Sequence, residues 1–318
     1  MLGRRTTAIV GLLVALVAAV VFLYLREHRQ VPEHAQATEG HDVDQPGRPV
    51  LHGTGAAPVS IPGEAERRGP GQKERIRGLL VAFAEARDEK AHALALELIA
   101  LGSAAVPTLV EALGSEQEEL RAAAAIILGR IGDARPVQHL ARCLADESDM
   151  VRSYASEALG RIGKPALPVL KPLLAHSEAR MRERAAVAVW YMHGDAKGAL
   201  PEILAALERE QDEDAFLWLS KALVRCGPGA EAAIPHLIGR LSSPSHSITS
   251  SASGALGDMG QVAVAPLISV LRATEDDDVA AHAAFALRDL GADAAVAIPA
   301  LVEGLQRQDF HARRAACD

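Results

Sequence analysis

The chain has 318 residues, 49% of them hydrophobic, and a formal charge of −8 at neutral pH. That length and apolar content suffice for a substantial core, while the acidic balance argues against a nucleic-acid partner, whose phosphates call for a basic excess. Cys143, Cys226 and Cys317 are odd in number and widely separated, so no disulfide framework is expected.

Residues 1–6 form a short basic tail with Arg4 and Arg5, and residues 7–25 (TAIVGLLVALVAAVVFLYL) carry no charge. Such a run spans a bilayer. It ends in Phe22, Leu23, Tyr24, Leu25 and Arg26 with no small-residue cleavage site close behind, which predicts an uncleaved signal-anchor helix rather than a signal peptide. The basic tail outweighs Arg26 and Arg29, offset by Glu27, only slightly. That bias keeps the tail in the cytoplasm and predicts an extracytoplasmic location for the rest of this single-pass membrane protein. Residues 26–71 hold six prolines, seven glycines and few large apolar side chains, so they are expected to be a disordered linker. As a flexible coil it would reach about 35–40 Å. His28, His34, His41 and His52 are too irregularly spaced for a defined metal site and read as solvated linker residues.

From residue 72 onward one pattern recurs. Its clearest instance, residues 151–170, reads VRSYASEALGRIGKPALPVL. Glycines at 102, 132, 163, 194, 227, 260 and 291 mark a period near 31 residues, the mark of a solenoid. Four residues before these glycines stand Leu98, Leu128, Leu159, Trp190, Leu223, Leu256 and Leu287. Eight before stand Leu94, Ala124, Ala155, Ala186, Leu219, Ala252 and Ala283. The two positions share one helical stripe, one filled by large side chains and the other mostly by alanine, so close helix stacking is expected, with Trp190 in a core position. Glycine then supplies a left-handed helix stop. A second, shorter helix follows, with proline in its first turn at Pro107, Pro168, Pro201, Pro235, Pro266 and Pro299. Cys226, in the apolar position before a stop glycine, is expected to be a small buried hydrophobe. Residues 72–87 are predicted to cap the array. At the other end the next stop glycine would fall beyond Asp318, so the last helix, residues 310–317, is expected to be cut short.

Pro-x-Leu-x-x-x-Leu, an acidic turn, Val-Arg-x-x-Ala and Leu-Gly-x-Ile-Gly, best seen in Val151, Arg152, Ala155, Leu159, Gly160, Ile162 and Gly163, together resemble the HEAT repeat, in particular the short repeats of bilin lyase-like proteins. The resemblance covers residues 72–318. It implies an all-α, right-handed α-solenoid of helix pairs, armadillo-like in its stacking, that acts as a membrane-tethered scaffold binding protein partners on its concave side. Its alternative is a HEAT-like enzyme or enzyme subunit, such as a lyase. Some HEAT-like proteins are iron-dependent hydroxylases that hold metal on His-Glu pairs, but none of the twelve histidines here precedes a glutamate. No phosphate-cradling loop, zinc cysteine pair or nucleophile motif occurs either, so no catalytic residue, cofactor or metal is expected. Phe216, Thr249 and Ala280 stand where earlier repeats have arginine, which predicts that no arginine ladder runs the whole length.

The positions flanking the buried stripe form a candidate contact ridge. Two residues before the glycines stand Arg130, Arg161, Met192, Arg225, Asp258 and Asp289, and nine before stand Tyr154, Trp218 and His282. Arg130, Tyr154, Arg161, Trp218 and Arg225 are the expected partner-binding residues, engaging an acidic or mixed protein surface, because exposed Tyr, Trp and Arg are enriched at binding hot spots.

Overall fold

The computed structural model describes residues 70–290 and 295–304, all within one compact unit, Ile61–Asp318. The expected anchor (7–25), most of the linker, Gly291 and the final helix (310–317) lie outside the described residues.

The described residues form fifteen α-helices and no strand. They are α1 (Pro70–Glu85), α2 (Asp88–Ala100), α3 (Val106–Ala112), α4 (Glu118–Ile131), α5 (Val137–Cys143), α6 (Asp149–Ile162), α7 (Leu167–Leu173) and α8 (Ala179–Tyr191). After them come α9 (Leu200–Arg209), α10 (Glu213–Arg225), α11 (Ile234–Arg240), α12 (His246–Asp258), α13 (Val264–Ala273), α14 (Asp277–Asp289) and α15 (Ile298–Gly304). The stripe helices α4, α6, α8, α10, α12 and α14 pack side by side in chain order, and each of the short helices α5, α7, α9, α11 and α13 packs on the stripe helix that follows it. This is the α-solenoid expected of the repeat. The N-terminal helix is described from Pro70, two residues before the expected boundary.

One arginine fixes the turn ahead of three successive stripe helices. Arg121, Arg152 and Arg182 each occupy the fourth residue of their helix and send one terminal nitrogen, Nη1, back to two backbone carbonyls. Arg121 donates to Ser115 and Glu116 at 2.9 and 3.1 Å, Arg152 to Asp146 and Glu147 at 2.6 and 2.7 Å, and Arg182 to His176 and Ser177 at 2.9 and 2.8 Å. Carbonyls that a turn would leave unpaired are thereby satisfied. Arg121 and Arg182 also hold a carboxylate of the next turn between Nε and Nη2: Asp146 with both contacts at 2.8 Å and Glu210 with both at 2.6 Å. Burial alone would raise these two carboxyls, but the arginine and backbone N–H donors hold both below the usual carboxylate range. Where Phe216 replaces the arginine, Arg240 of α11 lies 5.6 Å from its ring and donates to the Glu210 carbonyl at 2.9 Å. The ladder is confined to the first rungs, as the sequence leads one to expect.

Close approach between stripe helices depends on glycine at a second position. A Cβ on Gly160 would stand 2.2 Å from Cβ of Tyr191 and 2.6 Å from the Ala188 carbonyl oxygen, and Gly129 is crowded in the same way by Ala158. The stop glycines at 102, 132, 163, 227 and 260 all have positive φ, with Gly163 outside the left-handed helical region in ψ, whereas Gly194 does not. Gly194 lies inside a 3₁₀ turn, His193–Ala199, that leads from α8 toward α9 without a left-handed residue. Gly163 adopts φ 73°, ψ −136°, and its Cβ would meet Oδ2 of Asp195 at 2.5 Å. Gly163→Ala should therefore destabilise by about 1–3 kcal/mol. Gly194→Ala, with nothing within 4 Å, should be neutral or stabilise by up to about 1 kcal/mol. Denaturant titration of the two variants beside the wild type checks the contrast, and equal losses would contradict it.

Candidate functional site

Seven residues after Arg121, Arg152 and Arg182 stand Leu128, Leu159 and Val189, and seven after Phe216, Thr249 and Ala280 stand Leu223, Leu256 and Leu287. All six side chains are fully buried. The fourth repeat is thus set by Arg182 and runs one residue ahead of a register counted from Gly194. Val189, not Trp190, fills its large core position. Trp190 is half-buried and packs against the core from its edge, so it is packing as expected but not in the core position, and it occupies the place that Gly129, Gly160 and Gly257 hold in α4, α6 and α12. The same one-residue shift puts Tyr191 on the ridge in place of Met192, which is buried.

An indole cannot fit between helices where glycine is needed for contact, so the Trp190 ring stands out against α10. It meets Trp218 edge to face with ring centres 5.8 Å apart, and Tyr191 packs at 4.9 Å on the same ring. The Arg225 guanidinium lies 5.1 Å from the centre of the Trp190 ring, and the Lys221 ammonium 4.6 Å from that of Trp218. Both are cation–π contacts. Beside them runs an open groove of about 670 Å³, lined by Trp190, Gly194, Lys221, Val224, Arg225 and Asp258.

Of the five expected contact residues, the structure brings Trp218 and Arg225 into this cluster. Tyr154 and Arg161 lie beside Tyr191: the Tyr191 hydroxyl is raised by burial and by Glu157, with Arg161 opposing and Tyr154 adding to the rise. Arg161 also pairs with Glu157 at 2.7 Å, an exposed pair worth little by itself. Arg130 is exposed on α4 and is not part of the cluster. Trp190 and Tyr191 are additions that counting from Arg182 would have found, and Lys221 is a further one, three residues after Trp218 on the same helix.

Among the described residues no group of three or more His, Cys, Asp or Glu side chains could hold a metal ion, and no helix is long and apolar enough to cross a membrane. Cys143 and Cys226 are buried, which pushes their thiols up to about 11 and about 12.

A family model for HEAT repeats matches residues 76–154 and 106–190. Residues 76–190 are HEAT repeats. No curated protein matches the chain. Among solved structures, human deoxyhypusine hydroxylase is 21% identical over 77% of this chain and 94% of its own, with a TM-score of 0.30. The CpcE–CpcF complex of phycocyanin lyase from Nostoc is 20% identical over 47% of this chain and 98% of its own, with a TM-score of 0.38. A Kap95:Nup1 complex is 15% identical over 82% of this chain and 41% of its own, with a TM-score of 0.48. Within the repeats, the Trp190 indole stands where α4, α6 and α12 carry glycine, and the aromatic and cationic cluster it builds with Trp218, Arg225 and Lys221 is the candidate site.

Proposed function

We propose that the protein is a membrane-tethered scaffold that binds a protein partner through the ridge built by Tyr154, Tyr191, Trp190, Trp218, Lys221 and Arg225. The observation that carries this reading is the half-buried Trp190–Trp218 pair with Arg225 and Lys221 laid over it. At the same helical position α4, α6 and α12 carry glycine, which at Gly129 and Gly160 lets the helices touch, whereas α10 and α14 carry Val224 and Arg288. Here an indole fills the position, packing edge to face on Trp218 at the rim of the core, and leaves a rigid aromatic surface whose cations keep donors available to solvent. Such a surface suits an acidic segment flanked by apolar side chains. None of the six ridge residues is a serine, cysteine or histidine, which favours a contact surface over a reactive centre. In this reading the repeats form a right-handed array whose stripe helices line the concave side, as in other solenoids.

Trp218→Ala with Arg225→Ala should keep helical content and weaken capture of the partner, once crosslinked from native membranes and purified, by more than about 2 kcal/mol, roughly thirtyfold. Unchanged capture at unchanged helicity would contradict the ridge assignment.

Residues 7–25 support the tether and residues 26–69 its reach, with the repeats outside the cytoplasm. Protease added to intact spheroplasts should remove the repeats and leave a small membrane-bound stub. Full protection, or a mature N-terminus beyond Leu25, would contradict this topology.

A further inference from the structure

The three arginine rungs are not alike. Six residues before each arginine lies a residue whose side chain accepts the backbone N–H two residues on: Ser115 from Gln117, Asp146 from Ser148, and His176 Nδ1 from Glu178. Glu210 fills the same place ahead of Phe216 and accepts from Asp212. This is the position from which the next turn offers its carboxylate to the preceding arginine, so Arg121 receives Asp146 and Arg182 receives Glu210. By the same count Arg152 faces His176. A neutral imidazole whose Nδ1 accepts from a backbone N–H offers no carboxylate to a guanidinium.

Two observations at Arg152 follow from this. Its Nε is buried and makes no hydrogen bond, while its Nη2 turns instead to Asp149 of its own helix, a residue almost wholly exposed. These are the two nitrogens that grip the carboxylate in both neighbouring rungs. Arg152 is itself only 8% exposed, and leaving such a donor unpaired is costly. Asp146 also lies near it, but both Asp146 oxygens are already taken by Arg121 and the Ser148 N–H. Arg184, held by the Leu144 carbonyl at 2.9 Å, adds a second positive charge, and burial together with the charge of Arg152 pushes its guanidinium down.

We propose that Arg152 is a binding site for a carboxylate supplied from outside the repeats, gripped by Nε and Nη2 as Asp146 and Glu210 are gripped by Arg121 and Arg182. The incoming carboxylate displaces Asp149 from Nη2 and enters at the turn where Ser177 and Glu178 are exposed. A planar fork of two parallel N–H donors is the geometry that selects a carboxylate. The site lies on the turn side of α6, apart from the aromatic ridge, and does not depend on that ridge's partner. The carboxylate comes either from an acidic side chain of a protein or from a free small acid.

The test is thermal unfolding of the full chain in detergent at fixed ionic strength, exchanging chloride for acetate in one arm and adding a hexaglutamate peptide in the other. A saturable rise of about 3 °C is expected at ten times the dissociation constant. His176→Glu supplies the carboxylate from within and should melt higher than wild type without added acid, with the saturable rise abolished. A rise with hexaglutamate but not acetate assigns the site to an acidic side chain, and a rise with both assigns it to carboxylates at large. No saturable rise in either arm, or the same rise in His176→Glu, overturns the proposal.

Discussion

Everything in this molecule hangs on the register with which one stripe helix lies against the next. Side chains of successive helices meet at two kinds of position, a buried stripe of Leu, Ala and Val and a glycine seat where backbones nearly touch. Because each repeat contacts only its neighbours, a register error in one cannot be absorbed elsewhere. The turn ahead of the helix therefore needs a fixed reference. In the first rungs that reference is an arginine donating to the carbonyls five and six residues before it, at the same offset every time.

That device explains what was legible in the amino-acid sequence and what was not. The period, the helix pairs, the proline starts and most left-handed stops follow from spacing alone, because they are local requirements of backbone and burial. The fourth repeat could be read wrongly because two anchors disagree there. Its glycine sits one residue beyond the place the others hold, and only its conformation shows that it has lost the stop role. Arg182 carries the register, and counting from it moves Val189 into the core and Trp190 and Tyr191 onto the surface. Trp218 and Arg225 were visible from sequence as ridge residues because their repeat keeps the common spacing. Their partner Trp190 was hidden by the same one-residue shift that makes the site.

The electrostatics divide the same way. Arg121 and Arg182, which face inward toward turns, are satisfied by carbonyls and by the carboxylates of Asp146 and Glu210 and serve the fold. On the ridge, Arg225 is laid over the Trp190 ring, which satisfies one face of the cation and leaves its N–H edges to water. Arg225 is thus positioned rather than neutralised, while Arg161, tied to Glu157, is largely compensated. The overall negative charge coexists with this local basic surface because the acidic residues are concentrated in the turns that start the stripe helices, where helix N-termini favour them.

The register of the fourth repeat is the claim on which the candidate site rests, and the chain's having only two tryptophans makes it directly measurable. In Trp218→Phe the remaining indole is Trp190. The account predicts that its fluorescence is quenched by iodide and that quenching rises further when Arg225→Ala removes the guanidinium lying over the ring. Emission that iodide does not reach, and that is indifferent to Arg225, would put Trp190 in the sealed position assigned here to Val189 and would contradict the account.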